Sequence, residues 1–154
     1  MKVWFTGLFA ILAIAMGIIA GLGGYTFYYA KGISYLSNDP RSCINCHVMQ
    51  EHFDSWSKSS HHAVATCNDC HVPHTFPEKY IAKMRNGWNH SRAFTLQNWS
   101  DPIRITPKNF SDLQHNCLHC HNISTSDIAS HRDIEKGSVA CTSCHRFTGH
   151  MVYD

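Results

Sequence analysis

The chain has 154 residues, 44% of them hydrophobic, and a formal net charge of +2 at neutral pH. This length allows one compact domain and one additional short element, which excludes a large multidomain enzyme. The sequence has no lysine- and arginine-rich run and no alternation of basic with aromatic residues, so its composition gives no argument for nucleic-acid binding. Eight cysteines and a large excess of histidine, thirteen in all, direct attention to cofactor chemistry.

The first element in the chain is an uncharged apolar stretch. Residues 3–30 contain no Asp, Glu, Lys, Arg or His, and about 20 such residues suffice for a helix to cross the hydrocarbon layer. Lys2 precedes the stretch and aromatic residues close it, which places its amino end in the cytoplasm. The alternative is a cleaved signal peptide, whose apolar core is about 7–15 residues and ends in small residues. The sequence therefore predicts an uncleaved transmembrane anchor at 1–30.

The rest of the chain is organised around four C-x-x-C-H motifs, which use all eight cysteines. This pattern is the attachment signature of c-type haem: the two thiols bond the porphyrin vinyl groups, and the adjacent histidine is placed to ligate the iron. Disulfides would not require a histidine after every second cysteine, and zinc ribbons do not follow each cysteine pair with one. The motifs are Cys43–Cys46–His47, Cys67–Cys70–His71, Cys117–Cys120–His121 and Cys141–Cys144–His145.

Four haems on so short a chain would form much of its core and lie close enough to exchange electrons. Their propionates would make the loaded protein net acidic despite its slightly basic sequence. Haem is attached to this motif outside the bacterial cytoplasm, so the haem domain belongs in the periplasm, beside the cytoplasmic (inner) membrane. The sequence therefore indicates a short electron carrier tethered to that membrane by one helix.

The predicted fold class is all-α, with the anchor followed by a juxtamembrane linker at 31–42 and a haem domain of short helices and loops at 43–154. The first two motifs are 24 residues apart, as are the last two, which suggests a duplicated dihaem unit. Apolar spacing predicts helices near 44–57, 78–96 and 124–131, with Pro77 as the first helical residue of the second. Asp101-Pro102 and Thr106-Pro107 predict breaks in the chain between the last two.

The first motif contains an unusual residue, because Met49 follows two positions after His47. A thioether axial ligand raises the potential of a haem relative to two histidines. Such a haem next to the membrane is a place where a quinol could be oxidised. The alternative, left open by the spacing, is that Met49 only packs on the porphyrin.

Distal iron ligands must come from histidines outside the motifs. His61 precedes the second motif by a few residues, which suits reaching a different haem, and His150 follows the fourth and can fold back. His90 and His74 are the other preferred candidates among the free histidines. A ligand supplied by a partner protein is the alternative.

A polar face on the predicted helix 78–96 is the candidate site for quinol protons. Lys79, Lys83, Asn86 and His90 follow one another at helical spacing and so share a face. A lysine there would stabilise a developing negative charge, and a histidine with a near-neutral pKa could accept a proton. The alternative is a solvated face that pairs with haem propionates.

Taken together, the anchor, the four motifs, Met49 and the stretch from Lys79 to Ser91 resemble the NapC/NirT family of membrane-anchored tetrahaem quinol dehydrogenases. The short length, the 24-residue spacing and the Gly149–His150–Met151 end are most similar to the small subunits of cytochrome c nitrite reductases within that family.

This resemblance implies that Met49, rather than His47, ligates the first haem, at a menaquinol site. The family's quinol-site lysine maps to Lys79 or Lys83, while its aspartate falls on Asn86 or His90, and an asparagine cannot accept a proton. The iron ligands implied for the other three haems are His71, His121 and His145 as proximal residues and His61 and His150 as distal residues.

The implied function is to oxidise menaquinol at the outer face of the inner membrane and pass electrons to a periplasmic multihaem reductase. The implied partner is the catalytic subunit of cytochrome c nitrite reductase, which makes ammonia from nitrite, in a hetero-oligomer. Two alternatives remain open: a NapC-like or general donor to another periplasmic reductase, and a passive membrane-tethered carrier with four six-coordinate haems.

Overall fold

A computed structural model of the chain describes residues 2–131 and 139–151. Its regular elements within these ranges are all helices, which confirms the predicted all-α class. Contacts divide the chain into two units, Met1–Tyr35 and Leu36–Asp154. The unit that contains the motifs therefore begins before the first motif and includes part of the stretch that the sequence assigned to a linker.

The first unit is dominated by helix α1, Lys2–Tyr29. Its segment Trp4–Tyr29 has 26 residues with a mean hydropathy of 2.3, and none of its most apolar window is buried. At 1.5 Å per residue the helix exceeds the roughly 30 Å hydrocarbon thickness. Length and composition therefore make α1 suitable to cross a membrane, as the sequence predicts. A 3-10 helix, Gly32–Leu36, follows it.

The second unit is built from short helices and two long ones. In chain order the described elements are 3-10 helices Pro40–Asn45 and His47–Met49, α2 (Gln50–Trp56), α3 (Cys67–His71), α4 (Glu78–Leu96), α5 (Pro107–Thr125), a 3-10 helix Ala129–His131 and α6 (Cys141–Cys144). Helix α4 has the predicted bounds, although Pro77 is its N-cap and not its first helical residue.

Two other helix predictions are wrong in part. The expected helix over 44–57 is interrupted at Cys46, which is extended with φ −100° and ψ 114°. The expected helix over 124–131 is only the end of α5 and a single 3-10 turn. Helix α5 itself was missed, because Thr106-Pro107 was interpreted as a break. In the structure Thr106 is the N-cap, its hydroxyl accepting from the N–H of Asn109 at 3.3 Å, and Pro107 is at the start of the helix.

The interior of the second unit is small and largely polar. Among the described residues the buried apolar side chains are Val72 and Ala82, while Lys83, Asp112 and Asn116 are buried polar ones. The Asp112 carboxylate pairs with Arg85 of α4 at 3.3 Å and with Lys108 of its own helix. Buried charges require such partners. Helices α4 and α5 are thus joined by ion pairs and hydrogen bonds more than by apolar packing.

Candidate haem-binding and electron-transfer site

Three of the four motifs lie on α-helices or at their ends: the second forms α3, the third lies within α5, and the cysteines of the fourth lie on α6, with His145 as its C-cap. On a helix the positions i, i+3 and i+4 face the same side, so both thiols and the following histidine are directed towards one cofactor. Helix α3 starts with a capping box in which Thr66 donates its backbone N–H and its hydroxyl to Asp69, both at 2.8 Å. Burial alone would raise the pKa of Asp69, but these hydrogen bonds outweigh it and hold that pKa below its ordinary value.

The first cysteines of paired motifs are neighbours in space. None of the eight cysteines forms a disulfide, and the sulfurs of Cys43 and Cys67 lie within hydrogen-bonding contact of each other. Cys117 and Cys141 contact each other in the same way; burial first, and then this neighbour, raises the pKa of Cys117 to about 11. The 24-residue repeat seen in the sequence therefore corresponds to two spatial pairs of attachment sites.

The two pairs are connected through Asn116, which immediately precedes the third motif. Its buried side-chain amide donates to the carbonyls of Cys70 and Val72, both at 2.9 Å, and so joins α5 to the end of α3. Cys70 lies close enough to Cys120 for the two thiols to interact electrostatically. The attachment sites consequently follow one another in space in their sequence order.

Gln114, which is also on α5, holds the fourth motif. Its side-chain carbonyl accepts from the backbone N–H of Cys141 at 2.7 Å, and its amide nitrogen lies 3.5 Å from the Thr142 hydroxyl. Two residues just before the third motif therefore position the second and the fourth. No sequence pattern indicates these roles, because single polar residues beside a motif are not distinctive.

Three motif histidines each face a free histidine. Two trans imidazoles with metal–nitrogen bonds of about 2 Å, the length found at zinc, have ring centres about 6 Å apart. The centroid separations of the observed pairs agree with this spacing, so the distances leave room for an iron between the rings. Their ring centroids are 6.0 Å apart for His71 and His150, 6.0 Å for His61 and His121, and 6.2 Å for His131 and His145.

Hydrogen bonds prepare two of the free histidines for metal binding. His61 Nδ1 lies 3.1 Å from the carbonyl of Thr148, and His150 Nδ1 lies 2.8 Å from that of Met151. A carbonyl only accepts, so each Nδ1 carries the proton and each Nε2 keeps its lone pair for a metal. Burial, and next the nearby His150, lowers the pKa of His71 to about 4, so its ring is neutral, as ligation requires.

The two remaining predicted distal ligands lie elsewhere. His74 stacks on His119 with centroids 4.2 Å apart, which leaves no room for an iron between them, and its Nε2 donates to the carbonyl of Asp69 at 3.0 Å. His90 is a largely exposed residue on α4, and partial burial lowers its pKa. His131 pairs with a motif histidine instead. It lies ten residues before Cys141, whereas His61 lies six residues before Cys67, so the internal repeat does not make the two positions equivalent and no sequence pattern identifies His131.

The first motif has a different local structure. Because the chain is extended at Cys46, the helical relation between cysteine pair and histidine found in the other motifs is broken. His47 is exposed, while Met49 is half-buried and donates its N–H to the Cys46 carbonyl at 2.9 Å. Three residues per turn in this 3-10 helix bring Met49 to the side of Cys46, which favours the methionine near this attachment site.

Lys83 ties α4 to the segment before the first motif. Its buried ammonium donates to the carbonyls of Leu36 at 3.0 Å and Ser37 at 2.8 Å, and to Asn38 Oδ1 at 3.1 Å. Burial, followed by repulsion from Lys79, lowers the pKa of Lys83. Lys83 therefore lies near the first attachment site with all three of its N–H donors engaged.

Lys79 and Asn86, which also belong to the predicted polar face of α4, have different surroundings. Lys79 is half-buried, near enough to Asp69 and Lys83 to influence both electrostatically. Asn86 instead accepts a hydrogen bond from Asn109 of α5 at 3.1 Å, so its carboxamide contributes to helix packing.

Comparison with known proteins gives concordant matches. Residues 4–154 match the model of the NapC/NirT cytochrome c family, N-terminal region. The chain is 38% identical to the cytochrome c-type protein NrfH of Wolinella succinogenes, over 91% of this chain and 82% of that protein. It is 32% identical to the cytochrome c nitrite reductase subunit NrfH of Nitratidesulfovibrio vulgaris, over 79% and 73%. NapC of Escherichia coli K12 is 27% identical over 89% and 81%.

Among solved structures, a chain from the crystal structure of the cytochrome c nitrite reductase NrfHA complex bound to the HQNO inhibitor superposes with a TM-score of 0.66. The match is 27% identical and covers 92% of this chain and 90% of that one. Both the motifs and these similarities lead to one assignment: the chain belongs to the NapC/NirT family of membrane-anchored, electron-transferring c-type cytochromes.

Proposed function

We propose that this chain oxidises menaquinol and passes the electrons, through four covalently attached haems, to a periplasmic multihaem nitrite reductase. The observation that carries the proposal is the arrangement of the attachment sites: three have a histidine pair at iron-binding spacing, and the first does not share their helical geometry. Such an arrangement favours one reactive entry site followed by three electron-transfer sites.

Each part of the chain has a defined task in this proposal. The cysteine pairs attach the haems, which supply reversible one-electron transfer when bound. The three histidine pairs would hold the irons of the second, third and fourth haems. Met49 ligates the first, in agreement with its half-buried position in the turn after Cys46.

Oxidation of menaquinol also releases two protons. The polar face of α4 provides positively charged groups and a proton acceptor for this step. Lys83 remains a fixed positive charge near Cys43, because its three donors are already bonded. Burial lowers the pKa of His90, and its imidazole can accept a proton, unlike the amide of Asn86, whose oxygen is bonded to Asn109. Lys79 contributes positive charge beside Lys83.

The nitrite reductase as electron acceptor is supported by the names of the similar proteins from Wolinella succinogenes and Nitratidesulfovibrio vulgaris and by the NrfHA complex. Haem attachment to these motifs and the amino-terminal helix support a location at the cytoplasmic membrane with the haem domain in the periplasm. The lower identity to NapC makes donation to another periplasmic reductase the second candidate.

The test uses the full-length protein extracted in detergent. Intact mass should show four haems, and anaerobic addition of a menaquinol analogue should reduce them. Met49→Leu should abolish this reduction while haem attachment persists. A wild-type protein that the quinol does not reduce, and that contains no high-spin haem, would instead identify a passive carrier.

A second measurement addresses the acceptor. Protein purified gently from its own membranes should carry a multihaem catalytic subunit, and adding nitrite should reoxidise its reduced haems. Recovery of a molybdenum enzyme instead would contradict the nitrite assignment and favour a nitrate reductase.

A further inference from the structure

Ser55 and His52, both on α2, hydrogen-bond the backbone of Met151 and hold the C-terminal segment, residues 148–151, against this helix. The backbone N–H of Met151 donates to Ser55 Oγ at 2.7 Å, and Ser55 is half-buried on α2. The carbonyl of the same Met151 accepts from His150 Nδ1 at 2.8 Å. Ser55 thereby fixes the residue that determines the tautomer of His150, which faces His71.

The same segment also orients a second distal histidine. The carbonyl of Thr148 accepts from His61 Nδ1 at 3.1 Å, and the Ser60 hydroxyl lies 3.2 Å from that nitrogen. His61 in turn faces His121. Since Thr148 lies only two residues before His150, a displacement of the segment moves both carbonyl acceptors together.

We propose that Ser55 is a positioning residue for His150 and, through Thr148, for His61, so that ligation of the second and third haems is coupled. Ser55 acts through the backbone of Met151 and not on the iron. The inference rests on the proposed histidine pairs, but it is independent of which quinol donates and which reductase accepts the electrons.

The test compares two nearly isosteric variants, Ser55→Thr and Ser55→Val, in the full-length, haem-loaded protein. Threonine retains the hydroxyl acceptor and valine removes it, with similar steric effects on α2. Ser57→Ala is the matched control, because the Ser57 hydroxyl donates only to the Asp54 carbonyl of the same helix region, at 2.8 Å. Electron paramagnetic resonance counts the low-spin haems, and carbon monoxide reports freed iron sites in the reduced protein.

Loss of one hydrogen bond should raise the ratio of unligated to ligated His150 about fivefold. We expect Ser55→Val to change two low-spin signals and to bind more carbon monoxide, while Ser55→Thr and Ser57→Ala resemble the wild type. A change in only one signal would overturn the coupling, and no change would overturn the positioning role. If valine prevents haem loading, Ser55→Ala makes the same test without added bulk.

The wild-type spectrum separates this inference from the proposal on which it rests. Absence of bis-histidine low-spin haems in the wild type would overturn the histidine pairs themselves. Their presence together with an unaffected Ser55→Val protein would overturn only the role of Ser55.

Discussion

At the scale of single residues, the hydrogen bond made by one ring nitrogen determines which nitrogen of a histidine keeps its lone pair. His61 and His150 donate through Nδ1 to carbonyls and keep Nε2 available. His74 does the opposite, since its Nε2 donates to the Asp69 carbonyl. Counting histidines in the sequence cannot distinguish these cases, because the acceptors are backbone atoms whose position depends on the fold.

His131 provides the most direct test of the histidine pairs. Replacing it in His131→Ala should convert the fourth haem from low spin to high spin, because the ring facing His145 is removed. Magnetic circular dichroism of the oxidised protein measures the change. His115→Ala is a suitable control, as His115 is exposed and its Nδ1 bonds to the Ser111 carbonyl of its own helix. A low-spin count that His131→Ala leaves intact would contradict the pair.

Lys83 and Lys79 should differ in their effect on stability. Lys83→Leu leaves the acceptors of residues 36–38 with one fewer partner and should lower the free energy of unfolding by about 1–3 kcal/mol. Lys79→Leu removes a half-buried charge and should lower it by less than about 1 kcal/mol. Denaturant titration of the haem-loaded proteins measures both. We also expect the double variant to oxidise quinol slowly with an unchanged haem spectrum; a normal rate would assign these lysines to structure alone.

At the scale of elements, α5 organises the attachment sites. It carries the third motif and holds the second through Asn116 and the fourth through Gln114. The start of α5 was misread in the sequence because a Thr-Pro pair marks both helix starts and chain breaks. The position of Pro107 in the first turn, where a missing N–H costs nothing, resolves this ambiguity in the structure.

Asn116 should therefore contribute more to the free energy of unfolding than its size suggests. Asn116→Ala leaves two buried carbonyls, those of Cys70 and Val72, without their donor, at a cost of about 1–3 kcal/mol in the free energy of unfolding. Asn122→Ala, an exposed change on the same helix, should have little effect. Thermal unfolding of the haem-loaded proteins compares the two. Equal melting temperatures would show that the α3–α5 junction does not depend on this side chain.

At the scale of the whole molecule, the polypeptide buries too little apolar surface to be stable by itself. Val72 and Ala82 are the buried apolar side chains among the described residues, and three buried polar residues accompany them. Small domains with so little core usually require covalent or metal cross-links. The attached haems are the groups that can supply this missing apolar volume.

Protein made without haem attachment should accordingly lack a cooperative fold outside α1. We expect the variant with all eight cysteines replaced by serine to show rapid proteolysis of residues 36–154 and slow-exchanging amides only in the anchor. Hydrogen exchange followed by mass spectrometry, with the haem-loaded protein as control, measures this. Protected amides in α4 and α5 of the variant would show that the helices fold without the cofactor.

The sequence alone determined the features that depend on neighbouring residues: the haem attachment sites, the apolar anchor and the bounds of α4. These follow from covalent chemistry and helical periodicity, which act over a few positions. Only the tertiary structure decided which histidines form pairs, that Asn86 packs against α5 and that Lys83 holds residues 36–38. Each of these contacts joins residues more than ten positions apart, and their approach depends on how the helices pack, which no local pattern records.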